Sequence, residues 1–83
     1  LPKQVTLYTH PACGLCAEVK HQLQQLQQEF DFTLVEVNIT AEVAIWRRFR
    51  YLIPVVEFGN GLALVAPIDP DELRAAVAEA CPL

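Results

Sequence analysis

Residues 9–20 read Thr-His-Pro-Ala-Cys-Gly-Leu-Cys-Ala-Glu-Val-Lys, and within this stretch the apolar periodicity changes from that of a strand to that of a helix. Residues 4–9 alternate apolar and polar side chains, which indicates a strand. Pro11 cannot continue a hydrogen-bonded ladder, so the strand should end before it. After Gly14 the apolar residues recur at the spacing of one helix face, namely Val19, Leu23, Leu26 and Phe30. The sequence therefore predicts a strand that leads into a helix, with two cysteines at the junction.

The spacing of Cys13 and Cys16 predicts redox chemistry. At a helix N-terminus, unpaired backbone N–H groups and the positive end of the dipole favour an anion such as a thiolate. There the pKa of a thiol falls from about 8.5 to between about 3.5 and 7.5. Cys16 follows at i+3 on the same side of the helix, so the two sulfurs can close a small disulfide. We therefore interpret Cys13 as the nucleophile and Cys16 as the resolving thiol.

Two other interpretations of this pair remain open. The cysteines could form half of a zinc site, or they could be unreactive. A structural zinc ion needs four ligands, and only His10, His21 and Cys81 are left to complete the set. Because no second paired motif is present, we predict no metal site.

Composition narrows the classes of protein. The 83 residues predict one domain, 1–83, and 53% hydrophobic with 19% charged residues fits a compact fold. The net charge of −4 and the lack of a basic stripe argue against a nucleic-acid partner. No apolar run reaches the ~20 residues that cross a membrane, and no signal-peptide pattern opens the sequence. Three cysteines are an odd number for a secreted disulfide scaffold, so we expect a cytoplasmic protein, and we expect a monomer.

The rest of the chain predicts the order β-α-β-α-β-β-α. Strands are expected at 32–39, 53–58 and 62–65, with a helix at 41–50 that Thr40 would cap. Asn60-Gly61 is a strong hairpin signal between the last two strands. Asp69, Pro70 and Glu72 form the start signal of a final helix. The first two strands, joined by a helix, should be parallel, and helices can cover both faces of a four-stranded mixed sheet.

This order, with Cys13-Gly-Leu-Cys16 after the first strand and Ile53-Pro54 opening the third, resembles the thioredoxin fold in its short, glutaredoxin-like form. The resemblance covers nearly the whole chain and is strongest to small bacterial glutaredoxin-like proteins. It implies a cis Pro54 beside the dithiol and an Ile53 backbone that is free to pair with an extended substrate. It also implies no bound cofactor, with glutathione or a reductase as the electron donor and protein or low-molecular-weight disulfides as partners.

The chain departs from that family at the substrate site. Gly14-Leu15 matches neither the Pro-Tyr of glutaredoxins nor the Gly-Pro of thioredoxins, and residues 66–69 do not reproduce the glutathione-binding segment. We expect His10, with Ile53 and Pro54, to be among the residues that meet the substrate. Its side chain is either a proton carrier or thiolate-stabilising cation, or a solvated loop residue. Arg47, Arg48 and Arg50 either bind a carboxylate of glutathione or of an acidic partner, or form the solvated face of a helix.

Two further residues are interpreted structurally. We expect Trp46 to belong to the core or to cover it partly, and Cys81 to be a free thiol near the end of the chain without a catalytic role. The sequence as a whole predicts a thiol–disulfide oxidoreductase with catalytic residues Cys13 and Cys16. The alternative is a non-enzymatic module of the same fold whose cysteines bind a metal or a partner.

Overall fold

The computed structural model describes residues 3–82; residues 1, 2 and 83 of the predicted domain lie outside the described residues. In chain order the elements are β1 (Lys3–Thr9), α1 (Gly14–Leu26), β2 (Phe32–Asn38), a 3-10 turn (Ile39–Ala41), α2 (Val43–Phe49), β3 (Val55–Phe58), β4 (Ala63–Val65) and α3 (Pro70–Ala80). The predicted order of helices and strands is confirmed.

The four strands form one mixed sheet in the order β2-β1-β3-β4. β1 pairs in parallel with β2, in a register that sets Val5 opposite Leu34. On its other side β1 is antiparallel to β3, with Leu7 opposite Val56, and β3 is antiparallel to β4. Because β1 is an inner strand, its carboxyl end delivers residues 10–13 to the middle of one edge of the molecule.

Helices cover both faces of the sheet, as the sequence predicts. Val5 and Leu7 of β1 point to the larger core, which α1 and α3 close with residues such as Leu23 and Leu73. The opposite face carries a smaller cluster centred on Ile39, Phe49 and Val55, which α2 closes. The period-2 alternation of β1 and β3 thus divides their side chains between two cores.

The predicted start of the second helix is wrong. Thr40 does not cap α2, because both its backbone N–H and its hydroxyl donate to Oδ1 of Asn38, at 2.9 and 2.7 Å. Asn38 therefore caps a separate 3-10 turn, and α2 begins at Val43 after Glu42, whose side chain makes no capping bond. This local competition by a short polar side chain moves the start of the helix two residues along the chain.

The other turn and cap signals are confirmed. Gly61 has φ +90°, a left-handed conformation that glycine adopts readily, and the Phe58 N–H donates to the Leu62 carbonyl at 2.9 Å across the hairpin. Oδ2 of Asp69 accepts hydrogen bonds from the backbone N–H groups of Asp71 and Glu72, each at 3.1 Å. In residues 3–82, no helix has the length and apolar character that a bilayer crossing requires.

Candidate active site

Cys13 and Cys16 lie at the junction between β1 and α1. They form a disulfide with their Cα atoms 5.2 Å apart. Cys13 is the N-cap of α1, with extended backbone angles, and its Sγ accepts a hydrogen bond from the Cys16 N–H at 3.1 Å. Cys13 is partly exposed, whereas Cys16 is 1% exposed. One sulfur can thus be reached from outside, and the other lies directly behind it.

His10 holds the turn that presents Cys13. Its carbonyl accepts from the Cys13 N–H at 3.0 Å, and its Nδ1 accepts from the Ala12 N–H at 3.1 Å. With Nδ1 as an acceptor, the ring proton of a neutral imidazole belongs on Nε2. His10 is half-buried and lines cavities on both sides of the disulfide, so its role as a proton carrier stays a prediction.

The first of these cavities, which we call the polar cleft, has a volume of about 390 Å³ and reaches both cysteines. Lys20 of α1 and Glu36 of β2 line it and form an ion pair at 3.2 Å. Since these two charges compensate each other, the polar cleft carries little net charge.

The second cavity, which we call the aromatic cleft, has a volume of about 530 Å³ and reaches Cys13 from the side of α2. Trp46, Arg50 and Tyr51 line it, together with Ile53. The Arg50 guanidinium lies 4.5 Å from the ring centroid of Trp46 and 4.6 Å from that of Tyr51. Two aromatic side chains and one cation therefore line the cavity that reaches the accessible cysteine on this side.

Of the three predicted substrate-binding residues, His10 and Ile53 line the aromatic cleft, whereas Pro54 lines a different cavity. Ile53 shares the aromatic cleft with Cys13, but its backbone N–H already donates to the Phe49 carbonyl at 3.2 Å. The Ile53 N–H is therefore not free in this structure, contrary to the expectation of a free backbone, and pairing of Ile53 with a substrate stays a prediction. The Ile53–Pro54 bond is cis, as the resemblance implies, and the buried Pro54 lines a narrow groove with Leu15.

Cys81 is a free thiol, as predicted, but it belongs to the larger core and is 1% exposed. Burial raises the pKa of its thiol, an effect that the charge of Lys3 partly offsets. Among residues 3–82 no group of three or more His, Cys, Asp or Glu side chains is arranged to hold a metal ion.

Sequence reasoning missed the convergence of Trp46, Arg50 and Tyr51 on Cys13. The residues are 33 or more positions away along the chain, and only the pairing of β1 with β3 brings the segment before Ile53 beside the disulfide. One feature of the sequence could have predicted this convergence. The three residues come just before Ile53-Pro54, and the resemblance places Ile53-Pro54 next to the dithiol. Trp46 is 38% exposed and belongs to neither core cluster, so the expectation that it lies in the core or covers it is wrong; its ring lines the aromatic cleft instead.

Solved structures with the same fold include two bacterial structural-genomics targets. The protein XcR50 from X. campestris is 28% identical to this chain with a TM-score of 0.77, covering 92% of this chain and 97% of its own. Protein Ne2328 from Nitrosomonas europaea is 26% identical with a TM-score of 0.74, covering 92% of each chain. Oxidized thioredoxin O2 from Arabidopsis thaliana, 22% identical with a TM-score of 0.74 over 94% of this chain and 74% of its own, shares the fold.

No curated protein matches the sequence at a significant level. A family model does match, the Glutaredoxin-like domain (DUF836), over residues 4–78. That match spans β1 through most of α3 and includes both cysteines of the disulfide. The chain therefore belongs to the family of glutaredoxin-like domains (DUF836).

Proposed function

We propose that this protein is a thiol–disulfide oxidoreductase that cycles Cys13 and Cys16 between dithiol and disulfide. The observation that carries the proposal is the asymmetry of the pair. Cys13 is partly exposed at the N-terminus of α1, and Cys16 is buried one turn further on. This arrangement fits a nucleophile that meets the substrate and a resolving thiol that meets only the first sulfur.

The reaction begins from the reduced protein. The Cys13 thiolate attacks one sulfur of the substrate disulfide, which forms a mixed disulfide and releases the other sulfur as a thiolate that takes up a proton. Cys16 then loses its proton and attacks Cys13 Sγ, which releases the second substrate thiolate. The substrate gains two electrons and two protons, and the protein keeps the disulfide. An external thiol reductant, either glutathione or a reductase, must return the two electrons.

The backbone at the start of α1 supports the nucleophile. The Cys16 N–H points at Cys13 Sγ, and a donor aimed at a sulfur stabilises the thiolate more than the thiol. Together with the helix dipole, this donor should hold the pKa of Cys13 in the reduced protein below the ordinary value of about 8.5. The rate of Cys13 alkylation as a function of pH measures that pKa.

The test is alkylation and mass analysis of three proteins. In the reduced native protein Cys13 should react with iodoacetamide, while the buried Cys81 serves as an internal control that reacts only after unfolding. With a peptide disulfide and glutathione or a reductase as donor, Cys13→Ser should have no activity. Cys16→Ser should accumulate a mixed disulfide at Cys13. Full activity of Cys13→Ser, or a native Cys13 as unreactive as Cys81, would refute the proposal.

A further inference from the structure

The aromatic cleft beside Cys13 holds a cation that the protein itself does not neutralise. Among residues 3–82, the ion pairs use Lys20 and Arg74 and involve none of the arginines of the segment 47–50. Arg50 instead lies against the rings of Trp46 and Tyr51. Stacking of this kind holds the guanidinium plane and leaves N–H donors at its edge pointing to solvent, where they can meet a carboxylate.

The positive charge of this segment is opposite in sign to the net charge of the whole chain. The net charge is −4, yet three of the six basic residues, Arg47, Arg48 and Arg50, fall within four positions. The polar cleft on the other side of the disulfide contains the compensated Lys20–Glu36 pair. An anionic substrate would therefore be attracted to Cys13 from the aromatic cleft and not from the polar cleft.

The surface around this cleft is also too apolar for a small charged ligand alone. Tyr51 is 84% exposed, and three further large side chains are also exposed near it along the chain, namely Val43, Trp46 and Leu52. Trp46 lines the aromatic cleft with Tyr51 and a second cavity with Val43, so these three side chains are also neighbours in space. Exposed apolar side chains grouped in this way are typical of a surface that binds another protein. Aromatic residues and arginine are the types that contribute most to such contacts.

We propose that the substrate is the disulfide of an acidic polypeptide segment, whose carboxylate binds Arg50 while its apolar side chains cover Trp46 and Tyr51. This inference rests on the proposed thiol–disulfide exchange and adds the class of substrate. The chemistry is the exchange described above, with the substrate cysteine sulfur attacked by Cys13 and the electrons supplied by the reduced protein.

The experiment follows a single turnover of the reduced full chain with three peptides. Each carries one cysteine in a mixed disulfide with a small neutral thiol, flanked by Glu, by Gln or by Lys. Trp46, the one tryptophan of the chain, lines the aromatic cleft and provides a fluorescence signal for the exchange. Reduction of the same peptides by dithiothreitol corrects for differences in their intrinsic reactivity.

We expect the corrected rate with the Glu peptide to exceed that with the Gln peptide by about two- to fivefold at low salt, within the range of an exposed ion pair. The Lys peptide should be slowest, and high salt should remove the difference because it screens the exposed charges. Equal rates for all three peptides would overturn the inference but leave the proposed function standing. No exchange with any peptide would instead overturn the proposed function.

Two variants with the same loss of charge locate the effect. Arg50→Gln should abolish the preference for Glu, while Arg47→Gln, in α2 three residues before Arg50 and outside the lining of the aromatic cleft, should retain it. Far-UV circular dichroism checks that each variant is folded. Loss of the preference in both variants, or in neither, would refute a specific role of Arg50. If Arg50→Gln slows exchange with glutathione disulfide as much as with the Glu peptide, the polypeptide class is wrong.

Discussion

At the scale of single residues, Tyr8 links the sheet to the helix that carries the aromatic cleft. Its ring stacks on Phe49 of α2 with centroids 4.3 Å apart, and its hydroxyl donates to Oε1 of Glu57 at 3.2 Å. Burial raises the pKa of Tyr8 above its ordinary value of 10.0, and the charge and hydrogen bond of Glu57 raise it further, against a smaller opposing effect of Arg48. The protonated phenol is therefore the form that the fold favours.

The sign of this shift sets a pH dependence of stability. A group whose pKa is higher in the folded state stabilises the fold fully below its unfolded pKa. Its contribution is lost as the pH rises through the folded pKa. Ionisation of Tyr8 should thus weaken the fold only on the alkaline side, above the ordinary tyrosine value of about 10.

We predict that Glu57→Gln lowers the pKa of Tyr8 but leaves it above the ordinary value, because burial is the largest cause of the shift. The measurement is a spectrophotometric titration of tyrosinate in a Tyr51→Phe background, so that Tyr8 is the one tyrosine that titrates. Glu79→Gln, an exposed substitution on α3, is the matched control and should leave the titration unchanged. An unaltered Tyr8 pKa in Glu57→Gln would contradict the assigned contact.

At the scale of the elements, the last helix shows how a local signal fixes a boundary. Asp69 Oδ2 accepts from two of the backbone N–H groups that α3 would otherwise leave unpaired, and Pro70 occupies a first-turn position where no donor is lost. Since all these partners lie within four residues, the start of this helix can be read from the local sequence.

We predict that Asp69→Ala lowers the free energy of unfolding by about 1 kcal/mol, the usual cost of removing an N-cap. Asp71→Ala is the control, because Asp71 contributes its backbone N–H to the cap but no capping side chain. Its cost should be smaller and limited to the loss of a favourable charge in the first turn. Urea unfolding of both variants provides the comparison, and equal costs would show that the cap bond itself contributes little.

Local signals also explain which elements were predictable from the sequence. The Asn60-Gly61 turn and the start of α3 depend on neighbours, and both were predicted at the right residues. The start of the helix after β2 was predicted two residues too early, because Thr40 donates hydrogen bonds to Asn38. A threonine can either cap a helix or form a local hydrogen bond that competes with the helix, and the sequence does not distinguish the two. α1 ends at Leu26 although the apolar stripe continues to Phe30, which still packs against the larger core from outside the helix.

At the scale of the whole molecule, the sheet assembles a site from segments that are distant in the sequence. The position of the two cysteines followed from residues 4–20 alone, because a strand, a turn and a helix start are local. The aromatic cleft did not follow, because Arg50 and Tyr51 come to line one cavity with Cys13 only once β3 is paired with β1. From the sequence alone, Arg47, Arg48 and Arg50 fit the solvated face of a helix as well as they fit a binding site.

The same topology predicts where the fold is most stable. β1 is paired on both sides, and its Val5 and Leu7 are 0% exposed, whereas β4 is a three-residue edge strand with two exposed residues. Amides in elements with many buried contacts exchange only when the whole protein unfolds, while edge elements open locally at lower free energy. We therefore expect the slowest hydrogen exchange in β1 and much faster exchange in β4.

Leu7→Ala extends this expectation to a whole-molecule prediction. The truncation should cost about 2–5 kcal/mol, the range for a buried leucine, and it should accelerate exchange by the same factor at every slowly exchanging amide of the sheet. Leu64→Ala, a half-buried position on β4, is the matched control and should accelerate exchange mainly in the hairpin. Hydrogen exchange followed by mass spectrometry of peptide fragments measures both. If Leu7→Ala affected only β1, or if β4 were protected as strongly as β1, the sheet would not unfold as one cooperative unit around its inner strand.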